Sequence, residues 1–87
     1  MKHFELTARA DRLFEVRDTT GTTVVGYIQY DTDRFNNPVD YTFYPKGIEI
    51  MITGQTLTGV LMKHFDDTVD ITFADSSSIQ LGDMAFA

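Results

Sequence analysis

The sequence predicts an all-β fold, an antiparallel meander of seven to eight short strands forming a small barrel or a two-layer sandwich. Three observations carry this expectation. Apolar and polar residues alternate with period two along most of the chain, the mark of half-buried strands. Turn-forming Gly, Pro, Asn and Asp recur between those segments at hairpin spacing, and short connections make neighbouring strands antiparallel. No stretch keeps helical apolar spacing over three turns. The 87 residues are enough for one domain, residues 1–87.

His3 to Ala8 sets Phe4 and Leu6 against His3, Glu5 and Thr7 and reads as an edge strand. Ala8 to Arg12 is a short polar connection. Leu13 to Tyr30 reads as a hairpin. Asp18-Thr19-Thr20-Gly21 fits a type I turn, with Asp first and Gly last, and a left-handed Gly21 adds a bulge. That register sets Val16 opposite Val24 and Phe14 opposite Gly26, where the glycine leaves room for the ring. Asp31 to Asp40 is the one long connection. Tyr41 to Tyr44 follows as a short strand. Pro45-Lys46-Gly47 then closes it, with Pro pre-set for the second position of a type I turn. Phe43 is expected opposite Ile48 and Tyr41 opposite Ile50.

The stretch around which the rest is organised is Gly47 to Met62, GIEIMITGQTLTGVLM. Ile48, Ile50 and Ile52 alternate with Glu49, Met51 and Thr53, and Gly54-Gln55 fits a type II′ hairpin turn. Pairing outward sets Ile52 opposite Leu57, Ile50 opposite Gly59 and Ile48 opposite Leu61, which collects one apolar face. Val69, Ile71 and Phe73 alternate with Asp70 and Thr72 in a later strand. Ile79 and Leu81 begin another, and Met84 to Ala87 is an apolar tail. The core expected from these registers is Phe14, Val16, Val24, Ile28, Phe43, Ile48, Ile50, Ile52, Leu57, Leu61, Val69, Ile71, Phe73, Ile79 and Leu81.

Seven Lys+Arg against thirteen Asp+Glu leave a net charge of -6. Phosphate recognition needs clustered basic residues, so neither nucleic acid nor an anionic membrane is an expected partner. No apolar run approaches a membrane span, and MKHFELTARADR lacks the apolar core of a signal peptide, so the chain reads as cytoplasmic. There is no cysteine to form a disulfide, and no CxxC/HxxxH spacing for zinc.

No constellation for catalysis stands out. Asp31-x-Asp33 starts like a calcium loop, but Phe35 takes the third ligand position, Asn36 the required glycine and Thr42 the final glutamate. It reads as a solvated loop. His3 and His64 could join Asp66 or Asp67 in a metal site only if distant strands paired, and they read as surface histidines. The serines, Ser76 to Ser78, share one loop without a GxSxG elbow. No cofactor or metal is expected.

The hairpin LFEVRDTTGTTVVGYIQY resembles hairpins in tubby-like and scramblase-like barrels, where a strand, an Asp-x-x-Gly turn and a returning valine strand recur. The resemblance covers about a fifth of the chain and assigns no residue a role. The buried central helix of those barrels has no expected counterpart in this sequence.

The functional expectation is a non-catalytic module that self-associates as a homodimer or binds another protein. Val60 and Met62 point away from the core face of their expected strand, with Met51 a diagonal neighbour. Val25 and Tyr27 point away from the core on the other hairpin. If these faces adjoin, Val25, Tyr27, Met51, Val60 and Met62 form an apolar interface. The alternative is a small-ligand or carbohydrate-binding domain. It would use Tyr30, Phe35, Tyr41 and Tyr44, the aromatics beside the long 31–44 connection.

Overall fold

In this computed structural model, residues 1–20 and 23–74 are described. Gly21 of the first expected turn, the strand expected at Ile79 and Leu81, and the Met84 to Ala87 tail lie outside the described residues. The chain order is β1 (Lys2–Ala10), β2 (Leu13–Asp18), β3 (Thr23–Thr32), β4 (Pro38–Pro45), β5 (Ile52–Gly54), α1 (Leu57–Phe65) and β6 (Val69–Phe73). The strands make one sheet in the order β5-β4-β3-β2-β1-β6, curled into a half-barrel with α1 across its concave side.

The fold is therefore dominated by antiparallel β structure, as the sequence predicts, with three differences. Six strands are present among the described residues rather than seven or eight. They form a single curled sheet covered by a helix, not two packed sheets. The last strand, β6, runs parallel to β1, pairing Phe4 with Ile71 and Leu6 with Phe73. That parallel partner moves β1 from the expected edge to the interior of the sheet.

The β2–β3 hairpin forms with the expected sidedness but a shifted register. Phe14 faces Ile28 and Val16 faces Gly26, with a bulge between Val16 and Arg17. As far as Val16 this is a slip of two residues from the expected pairing, which keeps Phe14, Val16 and Ile28 on the expected side; past the bulge the slip is one, so Val25 packs against the core and the expected Val24 does not. Phe14, Val16 and Ile28 are accordingly buried. At the turn the Asp18 carboxylate accepts a 2.8 Å hydrogen bond from the Thr20 N–H, as an Asp leading a turn does. The short Ala8 to Arg12 connection is instead strand as far as Ala10, followed by a tight turn with Arg12 at φ 62.

The largest correction falls on the stretch expected to be central. Leu57–Phe65 is a helix, not the return strand of a hairpin. Thr56 is its N-cap, and its hydroxyl oxygen accepts from the Gly59 N–H at 2.9 Å. Lys63 and His64 lie in the last turn, where a helix favours cations, and Asp66 ends it in the left-handed conformation. Leu57, Val60, Leu61, His64 and Phe65 have helical spacing and turn inward. The helix is only about two and a half turns long at 3.6 residues per turn, so it escapes a three-turn criterion.

The expected pairs Ile52–Leu57, Ile50–Gly59 and Ile48–Leu61 therefore do not exist. β5 pairs with β4 through Phe43–Ile52 and Tyr41–Gly54, not Phe43–Ile48 and Tyr41–Ile50. Pro45 takes the first position of the following turn rather than the second. Gly47, at φ 78, supplies the left-handed third residue, and the Ile48 N–H reaches the Pro45 carbonyl at 3.4 Å. Continuing the β4–β5 register would set Ile50 opposite Pro45. The chain leaves the sheet before that, and Ile48 and Ile50 stand half-exposed instead of joining the core.

The core holds Phe4, Leu6, Phe14, Val16, Ile28, Tyr30, Tyr41, Phe43, Val60 and Leu61, with Ile52, Leu57, Val69, Ile71 and Phe73 packed against it. At Gly26 the β3 backbone lies close against β4. A Cβ there would lie 2.4 Å from the Tyr44 carbonyl oxygen and 2.7 Å from the Phe43 ring. We expect Gly26→Ala to destabilise the protein by about 1–3 kcal/mol through this overpacking. We expect Thr56→Ala, which removes the helix cap, to cost about 1 kcal/mol. Urea unfolding midpoints read both, and an unchanged midpoint for Gly26→Ala would contradict the packing described.

Candidate functional site

Strand alternation divides the sheet into two surfaces. Phe14, Ile28, Tyr30, Tyr41 and Phe43 face α1 on the concave side. The convex side carries a row formed by Thr7, Glu15, Tyr27 and Tyr44, paired in turn across β1, β2, β3 and β4.

The four aromatics expected to form a ligand platform fall on different parts of this frame. Tyr30 and Tyr41 are buried with ring centroids 5.9 Å apart. The β3–β4 ladder shifts by one residue beside them, with Asp40 at φ 54, and both rings turn inward. Burial raises both phenol pKa values above their ordinary range. Tyr44 is on the opposite face, across from Tyr27. Phe35 is an exposed loop-tip residue under the Arg34 guanidinium, 5.0 Å from its ring centroid. Only Tyr30 and Tyr41 come together.

The five residues expected at an interface are likewise dispersed. Val60 is fully buried in the core, because it lies on the inward stripe of a helix, and is no part of an exposed patch. Val25 is half-buried against the core. Tyr27 is on the convex sheet face, whereas Met62 is on the solvent side of α1, which covers the concave face. Met51 is exposed in the segment before β5.

That segment holds the most exposed apolar cluster among the described residues. Ile48, Ile50 and Met51 are 50, 51 and 66% exposed, in a run that leads into β5 at one end of the sheet. Next to β5, the Lys63 ammonium donates to the Thr53 carbonyl at 2.6 Å. An open recess of about 460 Å³ lies at the opposite flank of the helix N-terminus, where Asn37, Pro38 and Tyr41 meet Gln55 to Thr58 and the Ile71–Phe73 end of β6. Gln55, Thr58 and Asn37 are not singled out by the sequence reading, since their proximity exists only once residues 56–65 are helical.

The acidic loop is bound up in its own turn. Asp33 Oδ1 accepts from the N–H groups of Phe35 and Asn37 at 2.8 and 2.9 Å. These bonds, Asn37 foremost, lower the Asp33 pKa. The histidines do not meet. His3 Nδ1 is 3.3 Å from Asp70 Oδ2 on the strand surface, and His64 packs edge-on against Phe43 and Phe65. Among the described residues no three His, Cys, Asp or Glu side chains gather as metal ligands would.

The strongest charged cluster is one the sequence reading passes over. Glu15 is the one buried charged residue among the described residues, and Arg9 and Arg17 donate to it at 3.1 and 2.9 Å. Glu15 and Arg17 stand two apart on one strand face, a spacing that could have signalled it. No family model matches the chain, and no curated protein or solved structure is significantly similar to it.

Hydrogen bonds from Arg9 and then Arg17 hold the Glu15 pKa below its ordinary value, against the opposing effect of burial. A depressed carboxylate pKa contributes stability above the unfolded-state value and loses it as pH falls through the folded-state value. We expect Glu15→Gln to be less stable than wild type at pH 7. The difference should shrink as pH drops below about 4.3, the ordinary glutamate pKa. Thermal unfolding of both proteins across pH 2.5–7 checks this, and a pH-independent difference would contradict it.

Proposed function

We propose that this protein is a non-catalytic module that binds another protein chain, first of all a second copy of itself. The surface used is the segment 46–54 at the β5 end of the sheet. The single observation that supports this is the exposure of Ile48, Ile50 and Met51, adjoining a terminal strand only three residues long. Such apolar runs at sheet ends invite pairing with another chain. Nearby backbone is partly shielded, since Lys63 takes up the Thr53 carbonyl, and that leaves the apolar segment as the attractive part. A small domain without disulfides also gains stability by pairing.

This reading keeps the self-associating class expected from the sequence and moves its surface. Met51 stays in the interface and Val60 leaves it. Sedimentation equilibrium at tens of micromolar, where an interface of standard size holds, is expected to show a dimer. An Ile48→Lys/Ile50→Glu double variant is expected to be folded and monomeric, since both residues are outside the core. A wild-type monomer at that concentration would overturn self-association and leave a foreign protein partner as the reading to test.

A further inference from the structure

We propose that Lys63 guards the β5 edge of the sheet: its ammonium blocks the addition of a further strand and so restricts a second copy of this chain to side-chain docking through residues 46–51. The identity of that partner rests on the self-associating reading above. The guard itself is a property of the single chain.

Among the described residues β5 is a terminal strand of the sheet. A terminal strand directs every second N–H and C=O away from its neighbour and offers them to another chain. On β4, β5 pairs Ile52 with Phe43, Thr53 with Thr42 and Gly54 with Tyr41, so Thr53 is the middle residue of the ladder. Its carbonyl is the one that Lys63 Nζ meets, at 2.6 Å. An added strand needs that acceptor for an N–H of its own. To take it, a neutral amide would have to displace an ammonium, whose hydrogen bond is roughly twice as strong.

The packing builds this contact in. A Cβ at Gly54 would lie 2.8 Å from Val60 Cγ1 and 3.8 Å from Lys63 Nζ, so the missing side chain lets α1 seat on β5. Lys63 is three residues beyond Val60, nearly one turn along the same flank, and is thereby carried onto Thr53. The choice of acceptor is equally specific. Asp40 lines the same recess as Lys63 and Thr53. Lys63 nevertheless makes no ion pair among the described residues, in a chain with thirteen acids to seven bases. The sequence before β5 shows what the guard excludes. Ile48, Ile50 and Ile52 alternate with Glu49 and Met51, a pattern able to lengthen β5 into a longer edge, yet the strand stops at three residues.

The test compares the full chain with Lys63→Met, which keeps an apolar stem without the charge, and with Lys63→Arg, which keeps a charged donor. Sedimentation equilibrium at tens of micromolar reads size, and amide hydrogen exchange reads the Thr53 N–H. Wild type and Lys63→Arg are expected to form nothing larger than a dimer, with fast exchange at Thr53. Lys63→Met is expected to form larger assemblies in which Thr53 exchange slows at least about tenfold. Lys63→Ala, an independent removal of the ammonium at an exposed position, should do the same, and both variants should keep the wild-type circular dichroism when dilute. A monomeric wild type would sink the dimer reading alone, because Lys63→Met would still assemble through Thr53. The guard is overturned by a Lys63→Met protein with wild-type size and Thr53 exchange. Assembly without protection at Thr53, assembly of Lys63→Arg, or a Thr53 amide already protected in wild type would overturn it too.

Discussion

The burial of one short amphipathic helix against an aromatic floor is the interaction on which this fold depends. A six-stranded sheet with one face in water needs its other face covered, and among the described residues no second sheet covers it. Val60 and Leu61 are fully buried there, each worth about 1.5–3 kcal/mol. Phe65 reaches across the curl, with its ring centroid 5.0 Å from Phe4 on β1 and 6.1 Å from Phe43 on β4, the strands next to the two edge strands. A strand at the same positions could bury only alternate residues, whereas the helix directs Leu57, Val60, Leu61, His64 and Phe65 into one cavity.

The same interaction sets where unburied apolar surface remains. A helix of nine residues is short against a molecule whose greatest extent is 33 Å. Its N-terminal flank leaves the recess beside β6. The segment feeding the helix, 46–51, passes beyond the last strand pair and carries two isoleucines and a methionine into solvent.

The convex face follows a different logic. It needs no cover, and its interactions are polar and lateral. Glu15 at the centre holds Arg9 from β1 and Arg17 from its own strand, so the triad spans the β1–β2 pair. The arginines are partly exposed and the carboxylate is not, which makes Glu15 the member whose protonation is felt. Tyr27 and Tyr44 continue the row across β3 and β4, away from the tyrosines of the concave floor. Aromatics adjacent in sequence are thus separated by the thickness of the sheet.

Much of the sheet was determined by the sequence alone. Period-two alternation placed β1, β2, β3, β4 and β6, and it assigned Phe14, Val16, Ile28 and Phe43 to the interior. It did so for Phe14, Val16 and Ile28 even though their register was two residues off, because a slip of two keeps a side chain on its own face, whereas the bulge beyond Val16 puts Val25 rather than Val24 against the core. The all-β class follows from these local signals. What only the tertiary structure decided is the fate of residues 56–65 and the partner of β6. Leu57, Gly59 and Leu61 satisfy period two while Leu57, Val60, Leu61 and Phe65 satisfy the helical period, so the local pattern supports both. The concave face resolves the ambiguity, because it needs a cover that buries Val60 and Leu61 together. The parallel pairing of β6 with β1 joins residues more than sixty positions apart and leaves no turn signature to read. The recess and the exposed 46–51 segment are products of those two outcomes, so neither could be located before the helix was in place.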